Sequence, residues 1–157
     1  MKANVKLDAI KALREKTGAS LKDVREALEA AKGDEAKALE FLRQRGAQIA
    51  ETRHGRATGQ GRVESYVHHD GRLGAIVEVN CETDFVARTP EFQQFCRELA
   101  MHVAAMNPEA NTETLLGQPF VKDQGTTVGA LLQALIAKTG ENVVIRRFVR
   151  FSVGAPA

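Results

Sequence analysis

The apolar positions change period partway along the chain. Up to residue 50 they recur at helical spacing, with Leu7, Ile10 and Leu13 on one face of a first helix. Gly18 is placed to end that helix in a left-handed conformation. Ser20 and Asp23 have capping-box spacing, with Asp in place of the usual Glu. A second helix then sets Leu21, Val24 and Leu28 on one side and stops at Gly33, and Asp34 is placed to cap a third, in which Leu39, Leu42 and Ile49 face inward. Three short amphipathic helices cannot hide their stripes separately, so the pattern predicts a three-helix module over residues 1–50.

From Glu51 to Gly61 the segment has three glycines and no large apolar residue, which predicts a flexible linker over 51–61. Period-two alternation follows. Val63, Ser65 and Val67 alternate with Glu64, Tyr66 and His68, and Leu73, Ala75, Val77 and Val79 alternate with Gly74, Ile76, Glu78 and Asn80. Asp70-Gly71 between them suits a two-residue type I′ turn, so a hairpin is predicted. A third strand runs from Val143 to Val153, with Val143, Ile145, Val149, Phe151 and Val153 on one face. Two helices intervene. One starts at Thr89-Pro90, carries Phe92, Phe95, Cys96, Leu99, Val103 and Met106, and ends at Asn107-Pro108. The other presents Val128, Leu131, Leu132, Leu135 and Ile136 between Thr126 or Thr127 and Gly140. The fold class is therefore α+β, with a 62–157 core in which a three-stranded antiparallel sheet packs against helices.

Composition narrows the function. The 157 residues carry a net charge of +2 with the signs interspersed, so long-range attraction to nucleic acid is weak and a protein partner fits better. No apolar run approaches the ~20 residues of a membrane span. Met1 to Leu7 is charged and lacks the apolar centre of a signal peptide, which implies a cytoplasmic protein with Cys81 and Cys96 as free thiols.

Candidate chemistry is sparse. His68, His69, Cys81, Cys96 and His102 include no Cys-x-x-Cys or His-x-x-x-His pair, so neither a metal nor a cofactor is expected. No Gly-x-Ser-x-Gly, Walker loop or Gly-x-Gly-x-x-Gly occurs, which argues against an enzyme and against nucleotide binding by the chain itself. The arginines of the linker and of the last strand lack aromatic stacking platforms, which disfavours RNA. Two features stand apart. Met101, Ala104 and Ala105 form a second apolar patch on the back of the helix after Pro90, suited to docking inside the chain or on a second chain. Thr83-Asp84-Phe85-Val86 lies between a strand end and a helix start. From chemistry alone, Phe85 reads as a plug against the core with Asp84 capping a turn, or as a ring presented outward.

The run Asn80-Cys81-Glu82-Thr83-Asp84-Phe85-Val86-Ala87-Arg88 resembles the signature of the elongation factor Ts family. Leu13-Arg14-Glu15-Lys16-Thr17-Gly18-Ala19, Ala100-Met101-His102-Val103-Ala104-Ala105, Gly117-Gln118-Pro119-Phe120-Val121 and Thr139-Gly140-Glu141-Asn142 are similar to further family motifs, in the same order. The resemblance implies an N-terminal module similar to ubiquitin-associated domains. It also implies a guanine-nucleotide exchange factor that binds the GTPase elongation factor Tu and promotes GDP release. In the family, the Thr-Asp-Phe-Val segment wedges in near the GTPase's magnesium. Thr83, Asp84, Phe85 and Val86 are then the expected wedge, with Lys11, Arg14, Leu21, Lys22 and His68 as further partner contacts. Asn107 to Leu116 is shorter than the helical insertion of many members, and the chain holds one core copy where larger members hold two. A homodimer is therefore expected, through the back of the 90–106 helix or the edge of the final strand.

Overall fold

The computed structural model describes residues 5–156, and residues 1–4 of the charged N-terminal stretch lie outside it. Three helices come first: α1 (Leu7–Thr17), α2 (Leu21–Ala30) and α3 (Glu35–Arg53). They are followed by β1 (Gln60–Val67), β2 (Leu73–Cys81), α4 (Asp84–Ala87), α5 (Pro90–Met106) and α6 (Thr112–Gly117). The short strands β3 (Pro119–Phe120) and β4 (Asp123–Thr127), then α7 (Val128–Thr139) and β5 (Val143–Ser152), complete the chain.

The helical module forms as its pattern predicts. Ile10 and Leu13 of α1 bury in one cluster with Val24, Ala27 and Leu28 of α2 and Ala38 of α3. Gly18 takes φ 64° and its N–H reaches Arg14 O, while Ser20 Oγ accepts from Asp23 N and Asp34 accepts from Lys37 N. Leu7 and Leu21, read as inward-facing, are 63% and 56% exposed because each opens its helix, beyond the reach of the small core. The stop after α2 is made by Lys32 and Gly33 together, both at positive φ.

The linker differs from its composition. α3 continues helically through Arg53, and β1 begins at Gln60. The stretch between is tied down: Arg53 Nε donates to Gly140 O at 2.8 Å and Asn142 Nδ2 donates to Arg56 O at 2.9 Å. The second half of α3 lies on α7, where Gly46 is buried and a Cβ placed there would stand 3.6 Å from that of Ala137. Gly-rich composition signalled flexibility, but these two long-range bonds tie the start of the segment to the core.

The sheet has the order β1-β2-β5, antiparallel throughout, with α5 against one face. Phe92, Phe95, Cys96, Leu99 and Val103 of α5 share a buried cluster with Val77, Val79 and Cys81 of β2 and Ile145 of β5. Three strand details depart from simple alternation. The β1–β2 turn is not type I′: only Gly71 has positive φ, Gly71 N–H donates to His68 O, and Asp70 Oδ1 accepts from Arg72 N. A bulge between Glu78 and Val79 pairs Glu78 with Arg147 and Val79 with Ile145, leaving Arg146 as the extra residue of β5. That residue flips the phase of the strand, so Val143 and Ile145 face the helices while Val149 and Phe151 face away, instead of sharing a face. In β1 the half-buried side is Arg62, Glu64 and Tyr66, and Val63 and Val67 point to the open face.

The patch on the back of α5 is covered from within only in part, and Ala105 stays exposed. Ala104 is fully buried, its carbonyl accepts from Arg150 Nε at 2.8 Å, and Met101 is half-buried. The α6 turn and the β3–β4 ribbon were not foreseen; Asn111, which accepts from Glu113 N and Thr114 N, was the available signal for α6. Buried His102 pins the ribbon to α5. Its Nδ1 accepts from Val121 N at 3.1 Å, so Nε2 carries the proton toward Gln118 Oε1 at 2.9 Å, and its ring stacks on Phe120.

Candidate partner-binding site

β2 ends at Cys81, and the next residues form a short helical turn built from local capping. Thr83 is extended, at φ −125° and ψ 155°, and its Oγ1 accepts from Val86 N. Asp84 reaches Arg88 at 3.1 Å, a pair largely in solvent and worth little on its own. Thr89 then closes the turn by donating to Val86 O and opens α5 by accepting from Phe92 N, with Pro90 at the first helical position.

Two aromatic residues of this connection have opposite fates. Phe92 is fully buried, whereas Phe85 is 78% exposed, the highest exposure of any large apolar side chain among the described residues. The plug reading of Phe85 therefore does not apply. Val86 packs partly against the core and anchors the turn from below. From the side, Glu141 holds it: Thr83 N donates to Glu141 Oε1 at 3.0 Å and Thr83 Oγ1 to Oε2 at 2.7 Å. The turn thus presents an apolar ring on a fixed base.

Lys11, Arg14, Leu21 and Lys22 all face solvent on the helical module. The turn joining α1 to α2 lies at the end of the molecule that carries Phe85. A Cβ at Gly18 would meet Lys138 Nζ at 2.8 Å, and that Nζ is 3.4 Å from Glu91 Oε1 in the first turn of α5. Leu21 and Lys22 follow this contact closely in sequence. His68 is elsewhere. It sits at the hairpin tip, the other end of the nine-residue β2 and about 30 Å away at the usual rise per residue, with Nδ1 2.9 Å from Tyr66 Oη.

Burial pushes the Cys81 thiol up to about 11, helped by the nearby Glu141 carboxylate, and the Cys96 thiol up to about 12, so neither is a ready nucleophile at neutral pH. Among the described residues no group of three or more His, Cys, Asp or Glu is placed to hold a metal, and no helix is long and apolar enough to cross a membrane.

A small helical stretch is joined to an α+β core that presents an exposed aromatic turn between β2 and α5. The family model for elongation factor Ts matches residues 7–114 and 82–156. Elongation factor Ts of Rubrobacter xylanophilus is 44% identical over 191 aligned positions, covering 94% of this chain and 98% of the relative. Those of Carboxydothermus hydrogenoformans and Rippkaea orientalis are 42% and 39% identical, covering 92% and 97% of this chain and 87% and 79% of the relatives. The chain belongs to the elongation factor Ts family, and so to the elongation factors of translation. The 191 aligned positions exceed the chain's 157 residues, so the Rubrobacter relative has residues without a counterpart here.

Proposed function

We propose that this chain is a guanine-nucleotide exchange factor for elongation factor Tu, acting through binding and without covalent chemistry. One observation carries the reading: Phe85, in the turn that matches the family's wedge segment, is 78% exposed on a base fixed from both sides. An aromatic ring left in water at such a cost is suited to bury itself in a partner. Inserted near the GTPase's magnesium, Phe85 disturbs the packing around the ion, and Asp84 engages polar groups beside it. Losing the ion exposes the phosphate charge and favours release. Exchange factor and nucleotide weaken each other's hold on the GTPase by the same factor, because linkage is reciprocal. GTP then rebinds by concentration.

Lys11, Arg14, Leu21 and Lys22 supply the module's contacts with the same partner, and His68 is a contact for another domain of it. The module over residues 1–50 adds affinity, so deleting it weakens exchange. Release of labelled GDP from elongation factor Tu tests the whole reading. Phe85→Ala should slow stimulated release by about 30-fold, the scale of an aromatic hot spot, with its melting temperature nearly unchanged. A Phe85→Ala protein that releases GDP at the original rate would overturn the wedge.

The outer face of the sheet favours a homodimer. Val63, Val67, Ile76, Val149, Phe151 and Val153 are 43–68% exposed there, in rows that pair Ser65, Ile76 and Val149 and then Val67, Gly74 and Phe151. A second copy brings an apolar sheet face of matching shape, and a two-fold axis lays one on the other. This face is larger than what remains open on the α5 back, where Ala104 is buried and Met101 half-buried. A one-chain mass by light scattering at micromolar concentration, with full exchange activity, would exclude the dimer.

A further inference from the structure

Glu82 and Thr83 lie beside Glu141 and Asn142, about sixty residues later in the chain, and the two pairs bond to each other in a reciprocal clasp. Thr83 gives both its N–H and its hydroxyl to the Glu141 carboxylate, and Asn142 N–H donates to Glu82 Oε1 at 2.7 Å. The loop holding Glu141 is itself fixed. Gly140, at φ 74°, ends α7, and its carbonyl accepts from Arg53 at the end of α3. Asn142 is buried and reaches back to Arg56 O.

We propose that Glu141 is the positioning residue of the Phe85 turn, setting the direction in which the ring is presented; this deepens the exchange reading and rests on it. Thr83 is the first residue of the turn, and its hydroxyl does two jobs at once. It donates to Glu141 and accepts from Val86 N, so the carboxylate orients the same oxygen that caps the turn. A carboxylate accepting two hydrogen bonds at 2.7 and 3.0 Å fixes position and rotation together, which one bond does not. Local capping alone leaves the turn free to pivot about the end of β2. With Glu141 in place, the pivot is closed, and the ring loses little further freedom on binding. Because the loop also accepts from Arg53 and donates to the Arg56 carbonyl, the position of the turn is referred to the end of α3 as well.

The test measures stimulated GDP release against factor concentration for the full chain, Glu141→Ala, Glu141→Gln, Phe85→Ala and the double variant Phe85→Ala/Glu141→Ala. Misplacing a group by about 1 Å costs up to about 100-fold, so Glu141→Ala should lower the maximal release rate by about ten-fold. Glu141→Gln keeps an oxygen for Thr83 N and a polar end for the hydroxyl, and should recover most of that loss. If Glu141 acts through Phe85, the double variant is no slower than Phe85→Ala alone. Additive losses in the double variant, or a Glu141→Ala protein as fast as the original, would overturn the proposal. A full chain that fails to release GDP at all would instead overturn the exchange reading, so the two failures are distinct. Melting temperatures on the same proteins identify any variant slowed by unfolding. For such a variant, Thr83→Val, which keeps the N–H bond and loses the hydroxyl, should reproduce the ten-fold loss, and its failure to do so counts against the proposal.

Discussion

The two faces of the three-stranded sheet use the same three strands and carry comparable apolar residues, yet α5 covers only one of them. Toward the helix, Val77, Val79, Val143 and Ile145 are at most 3% exposed, and Phe92 closes the layer from the other side. On the opposite face, Ile76, Val149 and Phe151 stand between 43% and 68% open. Apolar content alone therefore does not define the interior of this fold. The interior is the face that the connections bring a helix to, and the residue that decides β5's phase is the extra Arg146 of the bulge. The charged side of β1 lies on the helix side, where Arg62 and Glu64 pair at 2.8 Å and Tyr66 meets His68. Polar groups at the edge of the covered face bond to each other, while apolar groups on the uncovered face stay exposed.

Four measurements sharpen or break this contrast. Phe92→Ala, on the covered side, should cost about 3–5 kcal/mol in denaturant unfolding, since the ring is fully buried and its cavity cannot fill from solvent. Deleting Arg146 should cost about 1 kcal/mol, because removing the extra residue restores plain alternation and leaves the other side chains on their present faces. Were that deletion as damaging as Phe92→Ala, the bulge would be holding more than phase. Phe151→Ser and Ile76→Ser, on the open face, should change unfolding by no more than about 0.5 kcal/mol when measured at concentrations where chains are separate. At micromolar concentration they should halve the mass seen by light scattering, if the face is the dimer contact.

The smallest effect is a pH effect on the covered side. Burial lowers the His102 pKa below its ordinary 6.5, and the hydrogen bond to Gln118 offsets this only in part. The unfolded chain then binds a proton more readily than the folded one. Stability from this group is complete above pH 6.5 and is lost as pH falls through the folded pKa. Between pH 7.5 and pH 5.5 the native protein should lose more of its melting temperature than His102→Gln does. Equal losses would remove His102 as the cause.

Much of this was legible in the sequence, and the misses have physical reasons. The helical module was readable because its boundaries are local: Gly18, Ser20 and Asp34 each act within four residues, and the caps form as spaced. The hairpin and α5 were readable from period and from Thr89-Pro90. The bulge was not: the Arg146-Arg147 pair interrupts the alternation from Val143 to Val153, but only pairing with β2 reveals Arg146 as surplus. The start of the 51–61 segment departs from its composition because α3 runs on to Arg53, and Arg53 and Arg56 bond to Gly140 and Asn142, far along the chain. Thr83 to Val86 was found as a motif, but its support from Glu141 spans 58 residues and leaves no periodic trace. Exposure of Phe85 was equally invisible, since a connector aromatic has the same neighbours in sequence whether it plugs or protrudes.

The continuous α3 changes what kind of object joins the two ends of the protein. Nineteen residues of helix are about 28 Å long, with Ala38 set in the module's core and Gly46 set on α7. It works as a gauge, whereas a tether would leave the separation to chance. Module and core are held at one spacing and one rotational phase. One residue added between Arg45 and Gly46 turns the module by about 100°, while seven restore its facing to within about 20° and move it roughly 10 Å outward. Any partner that grips both ends at once is therefore measured by this helix, and its two docking points are separated by a length written into the chain.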